Sequence, residues 1–164
     1  MADQKIAYAS SASATITLAS LASDSNLLAG RESAVVSNAS SLYLDYLLSG
    51  VITTASSGLT DGKSINVYVY AQQTDSPTYP AGITGSDANL TLNSSNVRDA
   101  GLILAASVST NDTASTAYSF SSVSVAACFG GSMPERFGVF VVHDTGAALA
   151  SGTITYQGLH GTVS

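Results

Sequence analysis

Apolar residues recur at every second position along much of this chain. In Ser64-Ile65-Asn66-Val67-Tyr68-Val69-Tyr70-Ala71-Gln72, the side chains of Ile65, Val67, Val69 and Ala71 fall on one face. Asn66, Tyr68, Tyr70 and Gln72 fall on the other. Alternation with period 2 is the signature of a strand that packs one face on a core. The run Leu42 to Thr54 repeats the pattern, with Leu42, Leu44, Tyr46 and Leu48 opposed to Tyr43, Asp45, Leu47 and Ser49. Gly50 interrupts it and predicts a bulge or bend. Further strands are predicted over Thr15–Leu21, Glu32–Ser37, Leu102–Ser109, Ala117–Cys128, Phe137–His143 and Gly152–Leu159. Phe137–His143 is almost continuously apolar and predicts a central strand. Asp24 predicts the cap of one helical turn over Ser25–Ala29, ended by Gly30.

Many short strands joined by Ser, Thr, Gly and Asn turns predict an all-β fold, an antiparallel β-sandwich of jelly-roll-like form with about eight strands. Its core is predicted to hold Ile16, Leu18, Leu44, Tyr46, Leu48, Val67, Val69, Leu102, Leu104, Val123, Val125, Val139, Val141 and Ile154. Residues 1–13, rich in Ala and Ser, read as a flexible N-terminal arm without a core face. Residues 14–164 read as a single β-sandwich domain, since no composition break divides them. The longest irregular stretch, 74–100, holds Pro77, Pro80, Gly82 and Gly85. A loop of that length points to a binding element, and Asn89–Leu92 within it predicts a short edge strand.

Composition narrows the function. Of 164 residues only 10% are charged, against 45% hydrophobic, and 44 are Ser or Thr. The polarity therefore comes from hydroxyls, which pack against a neighbour without stranding a charge. A net charge of −6 with five Lys and Arg leaves no basic stripe to neutralise phosphates, which argues against nucleic acid and against an anionic membrane surface. No apolar run is long enough to span a bilayer, and Met1-Ala2-Asp3-Gln4-Lys5 does not read as a signal peptide. The four Asn-x-Ser/Thr triplets at Asn38, Asn89, Asn93 and Asn111 are expected by chance in so hydroxyl-rich a chain.

The candidate chemistry is thin, and no catalytic residue, cofactor or metal is expected. Gly58-Leu59-Thr60-Asp61-Gly62-Lys63-Ser64 echoes a phosphate-binding loop, but three residues separate its glycines where four are needed, and it leads into a strand. Asp61-Gly62 is better read as a turn. His143 and Asp144 are adjacent and so point to opposite faces of a strand, and no Gly-x-Ser-x-Gly elbow accompanies them. The single cysteine, Cys128, lies in an apolar run and reads as a small buried hydrophobe. His143 and His160 are too few for a zinc site. Asp24-Ser25-Asn26 and Ser86-Asp87-Ala88-Asn89 are the nearest approach to a calcium loop and lack its density of carboxylates. The outward tyrosines Tyr43, Tyr68 and Tyr70 admit three readings: stacking on sugar rings, anchoring a protein interface, or packing across strands. With Tyr79 in the long loop and Met133 in the Gly-Gly-Ser-Met-Pro loop, they form the candidate interface.

The runs Thr15-Ile16-Thr17-Leu18-Ala19-Ser20-Leu21-Ala22-Ser23, Leu27-Leu28-Ala29-Gly30-Arg31-Glu32-Ser33, Leu42-Tyr43-Leu44-Asp45-Tyr46, Gly62-Lys63-Ser64, Gly130-Gly131-Ser132-Met133-Pro134 and Phe137-Gly138-Val139-Phe140-Val141 are distinctive. Together they resemble a group of tailed-bacteriophage structural proteins. The resemblance extends from about residue 15 to the C-terminus, and its motifs are structural. It implies a non-enzymatic virion protein, assembled in the bacterial host cytoplasm, that decorates or cements the capsid through contacts with the major capsid protein. It also implies a homo-oligomer, with a trimer favoured by the threefold positions of icosahedral shells. A carbohydrate-binding, head-fibre or tail attachment module used in host adsorption is the alternative.

Overall fold

The computed structural model describes residues 4–163. The strands are β1 (Gln4–Tyr8), β2 (Ala12–Ser13), β3 (Ala29–Glu32), β4 (Val36–Ser37), β5 (Asp45–Thr53), β6 (Lys63–Ala71), β7 (Ala88–Thr91), β8 (Ile103–Thr110), β9 (Ala117–Ser124), β10 (Arg136–His143) and β11 (Ser151–Val163). Two short helices, α1 (Ser95–Gly101) and α2 (Val125–Cys128), and a 3-10 turn at Pro80–Gly82 lie between them. One sheet runs β1-β11-β5-β9, with β2 also on β11, and the other runs β7-β3-β10-β6-β8, with β4 also on β10. Every pairing is antiparallel.

This order is that of a jelly roll. Setting aside the short β2, β4 and β7, eight strands remain. The first pairs with the last (β1 with β11), the second with the seventh (β3 with β10), the third with the sixth (β5 with β9) and the fourth with the fifth (β6 with β8). One long antiparallel ribbon has folded over on itself, and β11–β5 and β10–β6 are the seams where its halves meet. The result is two face-to-face sheets with few open edges.

The predicted core holds where the strands are long. Leu18, Tyr46, Leu48, Val67, Val69, Val125, Val139, Val141 and Ile154 are buried between the sheets. The bulge predicted at Gly50 is present as a register shift between Leu48 and Gly50 against β9. Strand β10 is central and buried along nearly its whole length. Other details differ from the sequence expectation. Leu44 and Leu104 are 63% and 50% exposed. Leu44 precedes the start of β5, so the alternation does not govern it, and β8 lies at a sheet edge. Ile16 and Val123 are only partly buried. The segment Thr15–Leu21 is not a strand. It crosses between sheets, with Ala14 N–H donating to Ile154 O, Ser20 N–H donating to Leu149 O, and Thr15 O accepting from Ala34. The run Ala117–Cys128 divides at Ser124, whose Oγ accepts from Ala127 N–H and caps α2, while Asp45 accepts from Ser124 Oγ and Ala126 N–H. No helix forms after Asp24. Its carboxylate instead accepts from the amides of Asn26, Leu28 and Ala29 and closes a turn in which Leu27 takes φ of 54°.

The segment expected as a free arm is strand-paired in its described part. Residues 4–8 and 12–13 lie along β11. Backbone pairing asks nothing of side-chain polarity, so an Ala- and Ser-rich segment without a core face still adds strands to a sheet edge. Residues 1–3 lie outside the described residues.

Candidate functional site

The candidate interface residues separate into two groups. Tyr68 and Tyr70, expected to face outward, are 6% and 0% exposed. The 74–102 segment folds over the outer face of β6 and β10 and makes a second core of Tyr68, Tyr70, Ile83, Leu92, Leu102, Phe140 and Val142. Tyr79 packs edge-on against Tyr70, with ring centroids 5.6 Å apart. Strands β6 and β10 are therefore buried on both faces, and Tyr68 and Tyr70 do not lie on an open surface. Met133 is half-buried against the first core. Tyr43 is half-buried against the same core, 5.3 Å from Tyr46 and 5.7 Å from His160 between ring centroids.

The long segment is held by polar anchors. Glu32 is fully buried, and its carboxylate accepts from Thr84 N–H, Thr84 Oγ1 and Gly85 N–H at 2.8–3.2 Å. Asp87 accepts from the Arg31 guanidinium and from Thr17. Arg31 and those Thr17 bonds hold the Asp87 carboxyl down to about 2. Both candidate calcium loops have thus turned their carboxylates inward onto protein donors. Among the described residues no cluster of three or more His, Cys, Asp or Glu side chains is placed to hold a metal ion.

The two histidines serve different surroundings. His143 is fully buried, with Nε2 3.0 Å from Leu21 O and Nδ1 2.9 Å from Thr145 Oγ1. A carbonyl only accepts, so Nε2 carries a proton, while the Thr145 hydroxyl beside Nδ1 also lies 3.2 Å from Ala147 O as a donor. Burial pushes its pKa below the usual 6.5. Asp144 does not face it. Asp144 accepts from Ser64 N–H at 2.7 Å and pairs with Lys63 at 3.4 Å, closing the Asp61-Gly62 turn where β6 begins. The loop opens a strand, not a helix. Cys128 is half-buried, and burial, reinforced by nearby Asp45, raises its pKa and keeps it a thiol.

Two surface features at the Tyr43 end of the sandwich were not expected from the sequence. The first is an apolar patch. Ile6, Tyr8, Leu42 and Leu44 are 70%, 62%, 73% and 63% exposed. Ile6 and Leu44 line one shallow cleft with Gly161 and Thr162. Tyr8 pairs with Leu159, whose carbonyl accepts from Leu44 N–H. The alternation of Ile6 and Tyr8 with Lys5 and Ala7 is the sequence signal for the exposed apolar side chains of β1. The second is a cleft of about 320 Å³ between β2, β4 and β11. Tyr43, Tyr46 and Tyr156 line it together with Ser10, Ser37 and Ser41.

The fold and these features define an all-β jelly-roll protein that presents an apolar end to its surroundings. Comparison with known proteins finds no family model and no curated sequence that matches this chain. Among the described residues no helix is long and apolar enough to cross a membrane.

Proposed function

We propose that the chain is a non-enzymatic bacteriophage structural protein that decorates or cements the capsid, seated on the major capsid protein as a homo-oligomer, with a trimer favoured. The observation that carries this reading is the exposure of Ile6, Tyr8, Leu42 and Leu44, four large apolar side chains more than half exposed, of which Ile6 and Leu44 line one cleft. Clustered exposure of that kind marks an interaction surface. Apolar contact is non-directional and gains little per copy, and a symmetric shell multiplies it through many simultaneous attachments. The low charge of the chain suits such a contact, since few ions need be desolvated when it forms. The sequence resemblance to tailed-phage structural proteins points the same way. Eight-stranded jelly rolls build viral capsid domains among others, and that association is analogy rather than assignment.

The test is to add purified chain to bare phage heads and compare it with the Leu42→Ser, Leu44→Ser double variant. The native chain should bind at a copy number that scales with capsid subunits, and the double variant should bind at least tenfold more weakly with its fold unchanged. Equal binding of the two would overturn the reading. Light scattering should give a trimer, and a monomer at high concentration would remove the oligomer from it.

A further inference from the structure

We propose that the tyrosine-lined cleft between β2, β4 and β11 binds a single neutral saccharide ring. The site uses side chains other than the apolar patch and does not rest on the shell-binding reading. Its volume of about 320 Å³ lies at the lower end of small-ligand clefts and suits one ring. Its lining selects the chemistry. Tyr43 and Tyr156 supply aromatic carbon, the buried Tyr46 packs between them, and Ser10, Ser37 and Ser41 add hydroxyls. Among the described residues no Asp, Glu, Lys, Arg or His lines it. A phosphate, carboxylate or ammonium ligand would enter such a cleft with its charge unpaired. A purely apolar ligand would make no use of the exposed serine hydroxyls. A pyranose offers an apolar C–H face and a rim of neutral hydroxyls, and matches both.

The walls are set before any ligand arrives. Asn38 is buried and clamps the loop that carries Tyr43, its Nδ2 donating to Tyr43 O at 2.9 Å and its Oδ1 accepting from Tyr43 N–H at 2.8 Å. Asn38 is itself fixed by N–H donation to Glu135 O at 2.7 Å. The Tyr43 ring lies over Gly158, where any side chain would overlap it. Tyr46 is 3% exposed and locked edge-on between Tyr43 and Tyr156. The Tyr46 hydroxyl is itself held by a side-chain hydrogen bond with Ser41. Preformed walls reduce the ordering cost that weakens binding of small ligands.

The experiment titrates the full chain with D-glucose, D-galactose, D-mannose and N-acetyl-D-glucosamine by calorimetry and by saturation-transfer NMR. D-Glucuronate and glucose 6-phosphate are the charged counterparts. At least one neutral sugar should bind saturably with a Kd in the millimolar range or tighter, and its charged counterpart at least tenfold more weakly. Ala12 lines the cleft from an exposed position on two-residue β2, so Ala12→Trp should fill the cleft and abolish binding with the circular dichroism unchanged. Ser37→Arg, at an exposed position on β4, gives the same reading should the first variant fold poorly. No saturable binding of any neutral sugar, equal binding of the charged counterparts, or binding undiminished in the folded variants would each overturn the proposal.

Discussion

The ring of Tyr70 fills the space over Gly138, its register partner on the neighbouring strand, and its hydroxyl donates to the Ser33 carbonyl at 2.8 Å. Burial, with Glu32 nearby, raises the phenol's pKa far above its ordinary value, so the group remains a donor at any working pH. The pair joins three strands, because Tyr70 is on β6, Gly138 on β10, and Ser33 directly follows β3. A side chain at 138 and this ring cannot share the same space.

Gly138→Ala should therefore lower stability by about 1–3 kcal/mol through overpacking. Tyr70→Phe should cost about 1–3 kcal/mol by leaving the Ser33 carbonyl unpaired in the core. Chemical denaturation of each single variant checks both. An unchanged midpoint for Gly138→Ala would mean that the ring moves aside freely.

The double variant Tyr68→Ala, Tyr70→Ala should unfold the domain, not merely weaken its contacts. Both rings are buried in the second core, and a large-to-alanine change there costs about 3–5 kcal/mol each, against a total stability of about 5–15 kcal/mol. Val67→Asp, at a position with 0% exposure in the first core, should do the same. Loss of the cooperative thermal transition is the readout for both.

Glu32→Ala should release the segment over the second core. The change leaves the amides of Thr84 and Gly85 without an acceptor, and hydrogen bonds to a charged group contribute about 1.5–3 kcal/mol each. Hydrogen exchange at residues 84 and 85 should accelerate well beyond that of β10. Uniform exchange throughout the chain would show that the anchor is global.

Stability should fall on acidification in two stages. His143 has its pKa lowered by burial, so the unfolded chain takes up a proton near pH 6.5 that the folded ring refuses. Its contribution is full above about pH 6.5 and is lost as the pH falls through the folded value. Asp87 is held down to about 2 from 3.8, so its contribution is full above about 3.8 and lost as the pH falls towards 2. Thermal midpoints measured from pH 8 to pH 2 should show both slopes. His143→Gln should remove the upper one and leave the lower.

What the sequence determined by itself is local and periodic. Alternation in Ser64–Ala71 and the continuous apolar run of Phe137–His143 specify strands and the residues that meet between sheets, because period 2 is a property of the backbone. Gly50 marked its bulge for the same reason. Which side of those strands met water was decided only by tertiary structure. Tyr68 and Tyr70 have the pattern of an exposed face, and they are buried because a segment from 74 to 102, irregular in sequence, folds back over them and is fastened at Glu32 and Arg31. Leu42 and Leu44 have the pattern of a core face and lie in the open, because β5 begins only at Asp45. Pairing of residues 4–8 with β11 joins positions more than 150 apart in the chain. No local pattern encodes a backbone pairing over that distance, since it depends on how the whole ribbon folds and not on any side chain within it.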